Sequence, residues 1–197
     1  MRLLLASRSA ARRRMLEAAG VPFECVDAAL DENGVKASLR AEGAAAAALA
    51  LALAREKALA AKANAADLIL GSDQILELDD GTMLDKPSSR EELLRQLQRL
   101  SGRAHKLHSA AALVEDGEVV WTSIETVTMH VRPLGPDFLR DYVEREYETV
   151  CWSVGGYHAE GRGAQLFERI EGSHFAVLGL PLLPLLAALR ERGVIAA

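Results

Sequence analysis

The stretch from Asp67 to Gln74, DLILGSDQ, constrains the fold more than any other part of the chain. Its apolar run predicts a buried strand. The Gly71-Ser72-Asp73 segment that follows predicts that the strand ends there, with a carboxylate at its carboxyl edge. Ligands of open α/β sheets bind at such edges, and an Asp there can bind a divalent metal or take a proton from water. An ordinary turn Asp is the alternative interpretation, because Ser-Asp is also common in turns.

Strand and helix patterns alternate along the chain and predict an α/β fold with a mixed sheet flanked by helices. With 197 residues and 50% hydrophobic content, we expect a single domain from 1 to 197. The predicted strands span 2–6, 21–26, 68–71, 75–78, 82–84, 104–115 and 118–131, the last two joined by Asp116-Gly117. The predicted helices span 10–19, about 43–65, 90–100, 136–145 and 182–192. Residues 27–34 are interpreted as an acidic loop, 149–163 as short strand and Gly-rich loop, and 164–170 as a helical turn.

Charge and composition exclude several classes of protein. The net charge is −5, from 23 basic and 28 acidic side chains, which argues against a nucleic-acid polymer as partner. The two cysteines, Cys25 and Cys151, form no metal-binding or redox pattern and are expected to be small buried hydrophobes. No stretch has the roughly 18 uncharged apolar residues of a membrane helix. We therefore expect no membrane partner and a cytoplasmic protein.

A turn after the first strand combines hydroxyl groups with arginines. Ser7 and Ser9 precede the first helix, with Ser9 as a plausible N-cap, and Arg12 lies in the first turns of that helix. Free N–H groups at a helix N-terminus, hydroxyls and a guanidinium group together form a phosphate cradle. The alternative is a basic solvated face, which we prefer for Arg13 and Arg14.

Acidic and basic side chains elsewhere could complete a phosphate site. Asp31-Glu32, together with Asp73, could form a Mg²⁺ site that substrate phosphates bridge, or could simply be an exposed acidic loop. Lys57 on an Ala/Leu helix and Lys86 in the loop before Pro87 could both reach a phosphate, although surface lysines are common.

A glycine-rich loop runs from Gly155 to Gly163 and matches neither the P-loop nor the dinucleotide-binding fingerprint. Its glycines would let the backbone approach a ligand, and Glu160 within it could contact a base edge. The five histidines show no metal-ligand spacing. Most are interpreted as packing or strand-surface residues, although His105 could lie near the site.

Taken together, these stretches resemble the Maf family of nucleoside triphosphate pyrophosphatases. The similar segments span the chain from Leu5 to about Leu189: LASRSAARRRML, LDE at Leu30, Lys57, GSDQ, LDKP, LSGRAHKLHSAAAL, ETVTMHVRPL and GGYHAEGRGAQLFERIEGSHFAVLGLPL. The resemblance implies a single-domain α/β fold with an elongated mixed sheet, related to inosine triphosphate pyrophosphatases, and a homodimer. It also implies cleavage of a nucleoside triphosphate between the α and β phosphates, dependent on Mg²⁺ or Mn²⁺.

The resemblance assigns roles to individual residues. Asp73 is the catalytic base that deprotonates a water, and the metal lies near Glu32 and Asp73. The residues that would neutralise the phosphates and the pyrophosphate leaving group are Ser7, Ser9, Arg12, Lys57 and Lys86.

Departures from the family pattern bear on the base. Gln74, Glu160 and the segment from Cys151 look more like the branch that hydrolyses 7-methyl-GTP than the branch acting on dTTP and UTP. A carboxylate at Glu160 suits the N–H donors of guanine. Ala11, however, stands where the 7-methyl-GTP branch carries an aromatic residue that would stack on the base. The alternatives are a dTTP/UTP pyrophosphatase and a non-catalytic nucleotide-binding regulator of cell division.

Overall fold

A computed structural model describes residues 1–62, 64 and 67–197. Within them the strands are β1 Arg2–Ala6, β2 Glu24–Cys25, β3 Asp67–Leu78, β4 Met83–Leu84, β5 Ala104–Glu115, β6 Glu118–Val131 and β7 Phe167–Glu171. The helices are α1 Ala10–Ala18, α2 Glu32–Ala41, α3 Ala46–Leu59, α4 Arg90–Leu100, α5 Pro136–Val150, α6 His174–Val177 and α7 Leu182–Glu191. Two short 3₁₀ helices span Val154–Gly156 and Arg162–Leu166.

The seven strands form one sheet in the order β2-β1-β3-β5-β6-β7, with β4 paired to β3. β1 runs parallel to β2 and β3, whereas the pairs β3–β4 and β6–β7 are antiparallel. The predicted α/β class with a mixed sheet and flanking helices is therefore confirmed. The described part of the chain contains no helix long and apolar enough to cross a membrane.

The chain divides into two compact units. The first comprises Met1–Gln74, Ser109–Glu125 and Ser173–Ala197, and the second comprises Ile75–His108 and Thr126–Gly172. The single domain expected over 1–197 stays a prediction.

The first unit has an apolar core on each face of β3. Leu68 and Leu70 pack with residues of β1, α1 and α7. Ile69, between them, packs instead with Ala58 of α3 and with Val114 of β5. Successive side chains of a strand point to opposite faces, so the alternation in β3 assigns its even-numbered residues to one layer and its odd-numbered residues to the other.

In the second unit, α4 packs against α5 and the first 3₁₀ helix. Tyr142 is fully buried, and its hydroxyl donates to the Gly156 carbonyl at 3.2 Å. His105 Nε2 lies 2.7 Å from the Tyr157 hydroxyl. Gly155 and Gly156 have positive φ angles of 78° and 65° and are buried. A Cβ on Gly156 would lie 2.0 Å from Leu93, so these glycines serve internal packing.

Most of the predicted elements are confirmed. The hairpin of β5 and β6 has the predicted bounds, and Asp116 and Gly117 at its turn have φ of 50° and 77°. Ser9 caps α1, as predicted. The predicted strands 75–78 and 82–84 are present in part and pair with each other, Leu76 with Leu84 and Glu77 with Met83.

Several predictions were wrong. DLILGSDQ does not end a strand, because β3 continues without a break to Leu78 through its pairing with β4. The predicted acidic loop gives way to α2 after Asp31. The predicted helix over about 43–65 is shorter: α3 ends at Leu59, and Ala63 and Ala65 lie outside the described residues.

Toward the carboxyl terminus, α5 runs to Val150, beyond the predicted end at 145. The segment predicted as a helical turn over 164–170 is mostly strand β7, because it pairs with β6. The expected short strand within 149–163 is absent from the described residues, which form 3₁₀ turns there.

Both cysteines are free thiols, but neither is buried. Cys25 is exposed because the two-residue strand β2 lies at the end of the sheet order. Cys151 is partly exposed at the carboxyl end of α5. The expectation of two small buried hydrophobes was therefore wrong.

Candidate active site

Gly71 brings α3 close to β3 in the first unit. A Cβ at this position would lie 2.0 Å from the carbonyl oxygen of Ala54 and 2.7 Å from the backbone nitrogen of Ala58. Glycine is therefore required for helix and strand to pack at this distance. Asp73 lies two residues further along the same face and thus also faces α3.

Asp73, Lys57 and Glu32 converge at this point. The ammonium group of Lys57 lies 2.7 Å from Oδ1 of Asp73 and 2.9 Å from Oε2 of Glu32. The side chains of Lys57 and Asp73 are 9% and 11% exposed, whereas Glu32 is 49% exposed. Oδ2 of Asp73 is buried with no hydrogen-bond partner among the described residues. One carboxylate oxygen of Asp73 is thus fixed, and the other is left to a ligand or to water.

The predicted acidic pair contributes in an unexpected way. Asp31 accepts a hydrogen bond from the Gly34 backbone N–H at 3.1 Å and caps α2. This cap places Glu32 at the first position of the helix, where its side chain reaches Lys57. Glu32, and not Asp31, therefore belongs to the site.

Asp73 and Glu32 are the two carboxylates that would hold a divalent cation at this site, together with oxygens of a phosphate ligand. No group of three or more His, Cys, Asp or Glu side chains suited to a metal lies among the described residues. Mg²⁺ is often held by one or two carboxylates together with substrate phosphates and waters. The unpartnered Oδ2 of Asp73 and the neighbouring carboxylate of Glu32 supply that donor set.

The hydroxyls before α1 have the chemistry expected of an anion cradle. Ser7 Oγ accepts from the Ser9 backbone N–H at 3.3 Å and from Arg12 Nη1 at 3.2 Å. Two N–H donors occupy its acceptor positions, and its own O–H can donate to an oxygen of a ligand. Ser9 caps the helix by accepting from the Arg12 backbone N–H at 3.4 Å. Arg13 and Arg14 are exposed, as the solvated-face interpretation predicted.

The Arg12 side chain, by contrast, is buried within the protein. Its Nε donates to the carbonyl of Gly179 at 2.8 Å, and its Nη1 donates to the carbonyl of Ser72 at 2.9 Å. Arg12 thereby connects the hydroxyl of Ser7 to the residue that precedes Asp73.

Ser72 and Gln74, on the other face of β3, hold the turn around α6. Ser72 Oγ donates to the carbonyls of Ala110 and Gly179 at 2.8 and 3.1 Å. The Gln74 amide nitrogen lies 2.9 Å from both Ser109 Oγ and the Ala176 carbonyl. Sequence reasoning missed Ser72, Ser109 and Gly179. The alternation within the strand could have assigned Ser72 to the face opposite Asp73.

The remaining predicted residues belong to other elements of the chain. Ala11 is a partly exposed residue of α1. Lys86 and Glu160 are exposed residues of the second unit, and their contact with a substrate stays a prediction. His105, also in the second unit, is 1% exposed, which agrees with a packing role.

The fold and site define an α/β protein with a paired-carboxylate and lysine centre suited to a phosphorylated ligand. The family model described as Maf-like protein matches residues 2–192. The chain therefore belongs to the Maf family.

Relatives at more than 40% identity cover almost the whole chain. A "nucleoside triphosphate pyrophosphatase" of Sphingopyxis alaskensis is 43% identical over 98% of both chains. A "7-methyl-GTP pyrophosphatase" of Rhizobium meliloti is 47% identical over 99% of this chain and 98% of that protein. A solved dITP/XTP pyrophosphatase structure from Mycobacterium abscessus matches at a TM-score of 0.36 and 24% identity, covering 66% of this chain and 73% of that one. This TM-score is too low to compare the two sites.

Proposed function

We propose that the protein hydrolyses a nucleoside triphosphate between its α and β phosphates, releasing a nucleoside monophosphate and pyrophosphate. The observation that carries the proposal is the asymmetric Asp73 carboxylate, with Oδ1 held by Lys57 and Oδ2 buried without a partner among the described residues. Family membership and the pyrophosphatase names of full-length relatives support the same reaction.

In the proposed reaction, Asp73 orients a water and accepts its proton. The water oxygen attacks the α-phosphorus, the bond to the bridging oxygen breaks, and pyrophosphate leaves with that oxygen. Lys57 holds the carboxylate in place through the contact at 2.7 Å. The O–H of Ser7, with Ser9 and the N-terminus of α1, donates to phosphate oxygens. Lys86 is proposed to neutralise charge on the leaving group.

We propose a divalent metal, Mg²⁺ or Mn²⁺, as cofactor. Asp73 and Glu32 are the residues that would hold it. When bound, such an ion supplies positive charge that stabilises the phosphates during in-line displacement. The fit of the two carboxylates to an oxygen-preferring cation supports this proposal.

For the base, we propose a modified guanine nucleotide such as 7-methyl-GTP. Gln74 and Glu160 support it through the resemblance, as do relatives named 7-methyl-GTP pyrophosphatase, such as that of Rhizobium johnstonii at 45% identity. Activity on dTTP and UTP is the second candidate. Ala11, which cannot stack on a base, favours it over 7-methyl-GTP.

A nucleotide panel tests both parts of the proposal. Pyrophosphate release would be measured with 7-methyl-GTP, GTP, dTTP and UTP at equal concentrations in the presence of Mn²⁺. We expect the highest kcat/KM with 7-methyl-GTP. Faster turnover of dTTP and UTP would reject the base assignment but keep the reaction. No release from any nucleotide by folded protein would instead favour a non-catalytic nucleotide-binding regulator of cell division.

We further propose that the protein is a cytoplasmic homodimer. The family resemblance supports both parts. Light scattering coupled to gel filtration would test the dimer, and a single-chain mass across a wide concentration range would reject it.

A further inference from the structure

The Arg12 side chain is buried, and its guanidinium group donates to protein oxygens. The residue is 8% exposed, and its guanidinium group makes its contacts inside the first unit. Nε donates to the Gly179 carbonyl, and Nη1 donates to both the Ser72 carbonyl and Ser7 Oγ, all within 3.2 Å. A guanidinium group has five N–H donors in a rigid plane. In Arg12 the hydrogen bonds from Nε and Nη1 all go to protein oxygens.

The positive charge of Arg12 is buried away from water. Burial lowers the pKa of Arg12, and the negative charges of Asp73 and Glu32 oppose that shift. A buried cation is tolerated where its N–H groups are hydrogen-bonded. Backbone carbonyls supply two of those bonds here, so the guanidinium group fixes main-chain positions.

These main-chain positions adjoin the proposed base. Ser72 is the residue before Asp73, and its carbonyl accepts from Arg12 while its hydroxyl donates to Gly179 and Ala110. The Gly179 carbonyl accepts from Arg12 and from Ser72. Both the backbone and the side chain of Ser72 are therefore held, which fixes the direction in which the next side chain leaves the strand.

We propose that Arg12 is a positioning residue that holds the backbone beneath Asp73 and the hydroxyl of Ser7, and is not a ligand of the substrate phosphates. The inference rests on the proposed hydrolase function. It departs from the role that the family resemblance assigns to Arg12. A positioning residue affects the chemical step, whereas a phosphate ligand also contributes to binding of the substrate.

The test separates binding from chemistry in Arg12→Ala and Arg12→Lys. Lysine keeps the positive charge but lacks the planar fork that spans the two carbonyls. We expect kcat to fall at least tenfold in both variants. Calorimetry should show the Kd of an α,β-methylene nucleoside triphosphate, which cannot be cleaved at that bond, within threefold of the parent value. Arg13→Ala, which removes an exposed arginine from the neighbouring position, should match the parent in both measurements.

Gly179→Ala provides a second variant that leaves Arg12 and its charge in place. Gly179 has φ +96°, where an alanine is strained, and an added Cβ would lie 3.3 Å from Arg12 Nη2. Arg12 or the Gly179 carbonyl that it binds must therefore shift by a few tenths of an ångström. We expect the same fall in kcat with the same analogue Kd, and this variant decides the question if the Arg12 variants do not fold.

Two results would overturn the inference alone while the parent remains active. One is a tenfold rise in the analogue Kd of these variants. The other is a kcat within threefold of the parent value. Absence of turnover by the parent would overturn the inference together with the proposed function, so the two failures are distinguishable.

Discussion

Lys57 donates to one carboxylate oxygen of Asp73, at 2.7 Å, while the other oxygen of that carboxylate is buried and unpartnered among the described residues. A carboxylate held on one side only cannot rotate freely. It therefore presents the other oxygen in a fixed direction, which is the arrangement expected of a general base.

Replacing Asp73 tests that role directly. Asp73→Asn keeps the shape of the side chain but removes the basic oxygen. We expect kcat to fall about a hundredfold or more, the lower range of a general-base contribution. Pyrophosphate release at saturating substrate is the measurement, with the midpoint of thermal unfolding as a check on folding. Equal rates in the variant and the parent would remove Asp73 from its assigned role.

Removing Lys57 should destabilise the protein as well as inactivate it. Lys57→Met leaves the 8%-exposed Asp73 without its cation, and breaking one side of a buried pair costs about 3 kcal/mol of unfolding free energy. In the double variant Lys57→Met/Asp73→Asn the loss should be smaller than the sum of the two single losses. Urea unfolding of all four proteins measures this. The exposed Lys62→Met is the control, and additive losses would contradict a direct interaction.

Gly71→Ala should separate α3 from β3. The added Cβ would lie 2.0 Å from the Ala54 carbonyl oxygen, which is backbone and cannot rotate away. We expect the unfolding free energy to fall by about 3 kcal/mol, at the upper end for an overpacked site. Activity should fall as well, because α3 carries Lys57. The exposed Gly161→Ala, whose nearest neighbour would be 3.8 Å away, is the control, and similar losses in both variants would show that contact with α3 is not the cause.

Stability should fall in mild acid because of His105. Burial, with a smaller contribution from His130, lowers the pKa of His105 from 6.5 to about 4. Between these values the unfolded chain binds a proton that the folded protein does not, so stability is complete above pH 6.5 and decreases as the pH falls toward 4. The whole shift corresponds to about 3 kcal/mol.

Urea unfolding at pH 7 and pH 5 tests this assignment. The loss of unfolding free energy on acidification should be smaller in His105→Gln than in the parent by about 2 kcal/mol, because only part of the shift lies above pH 5. The same loss in both proteins would mean that other groups account for the pH dependence.

Metal removal should abolish pyrophosphate release if the two carboxylates hold a cation. EDTA should stop the reaction, and Mg²⁺ or Mn²⁺ should restore it. Glu32→Gln should require a higher metal concentration for half-maximal rate, because a neutral amide attracts the ion less strongly. Full activity in EDTA, after dialysis against the chelator, would reject the cofactor.

Local signals predicted the elements that turn chemistry and capping define. Asp116-Gly117 between two alternating runs favours a tight hairpin, and Ser9 before the first helix is a preferred N-cap residue. Elements decided by distant partners were missed. β3 passes through Gly71-Ser72-Asp73 because β1 pairs with it up to Gly71 and β4 pairs with it again from Leu76. Helix α2 was missed because Asn33 and Gly34 in its first turn are weak helix formers.

In the site, too, some features were predictable from the sequence and others depend on distant partners. Asp73, Glu32 and Lys57 were predicted, and the structure brings them together. Their roles stay predictions. The burial of Arg12 could not be predicted, because its acceptors include the backbone carbonyls of Ser72 and Gly179. Every residue type has a backbone carbonyl, so the sequence does not indicate which residues act as acceptors.

The alternation in β3 has a consequence for how this segment can change in length. Asp73 faces α3, whereas Ser72 and Gln74 hold the turn around α6 on the opposite face. Inserting or deleting one residue after Ile69 would reverse the faces of all three side chains at once. We therefore expect substitutions in this segment to be tolerated far more often than single-residue insertions or deletions.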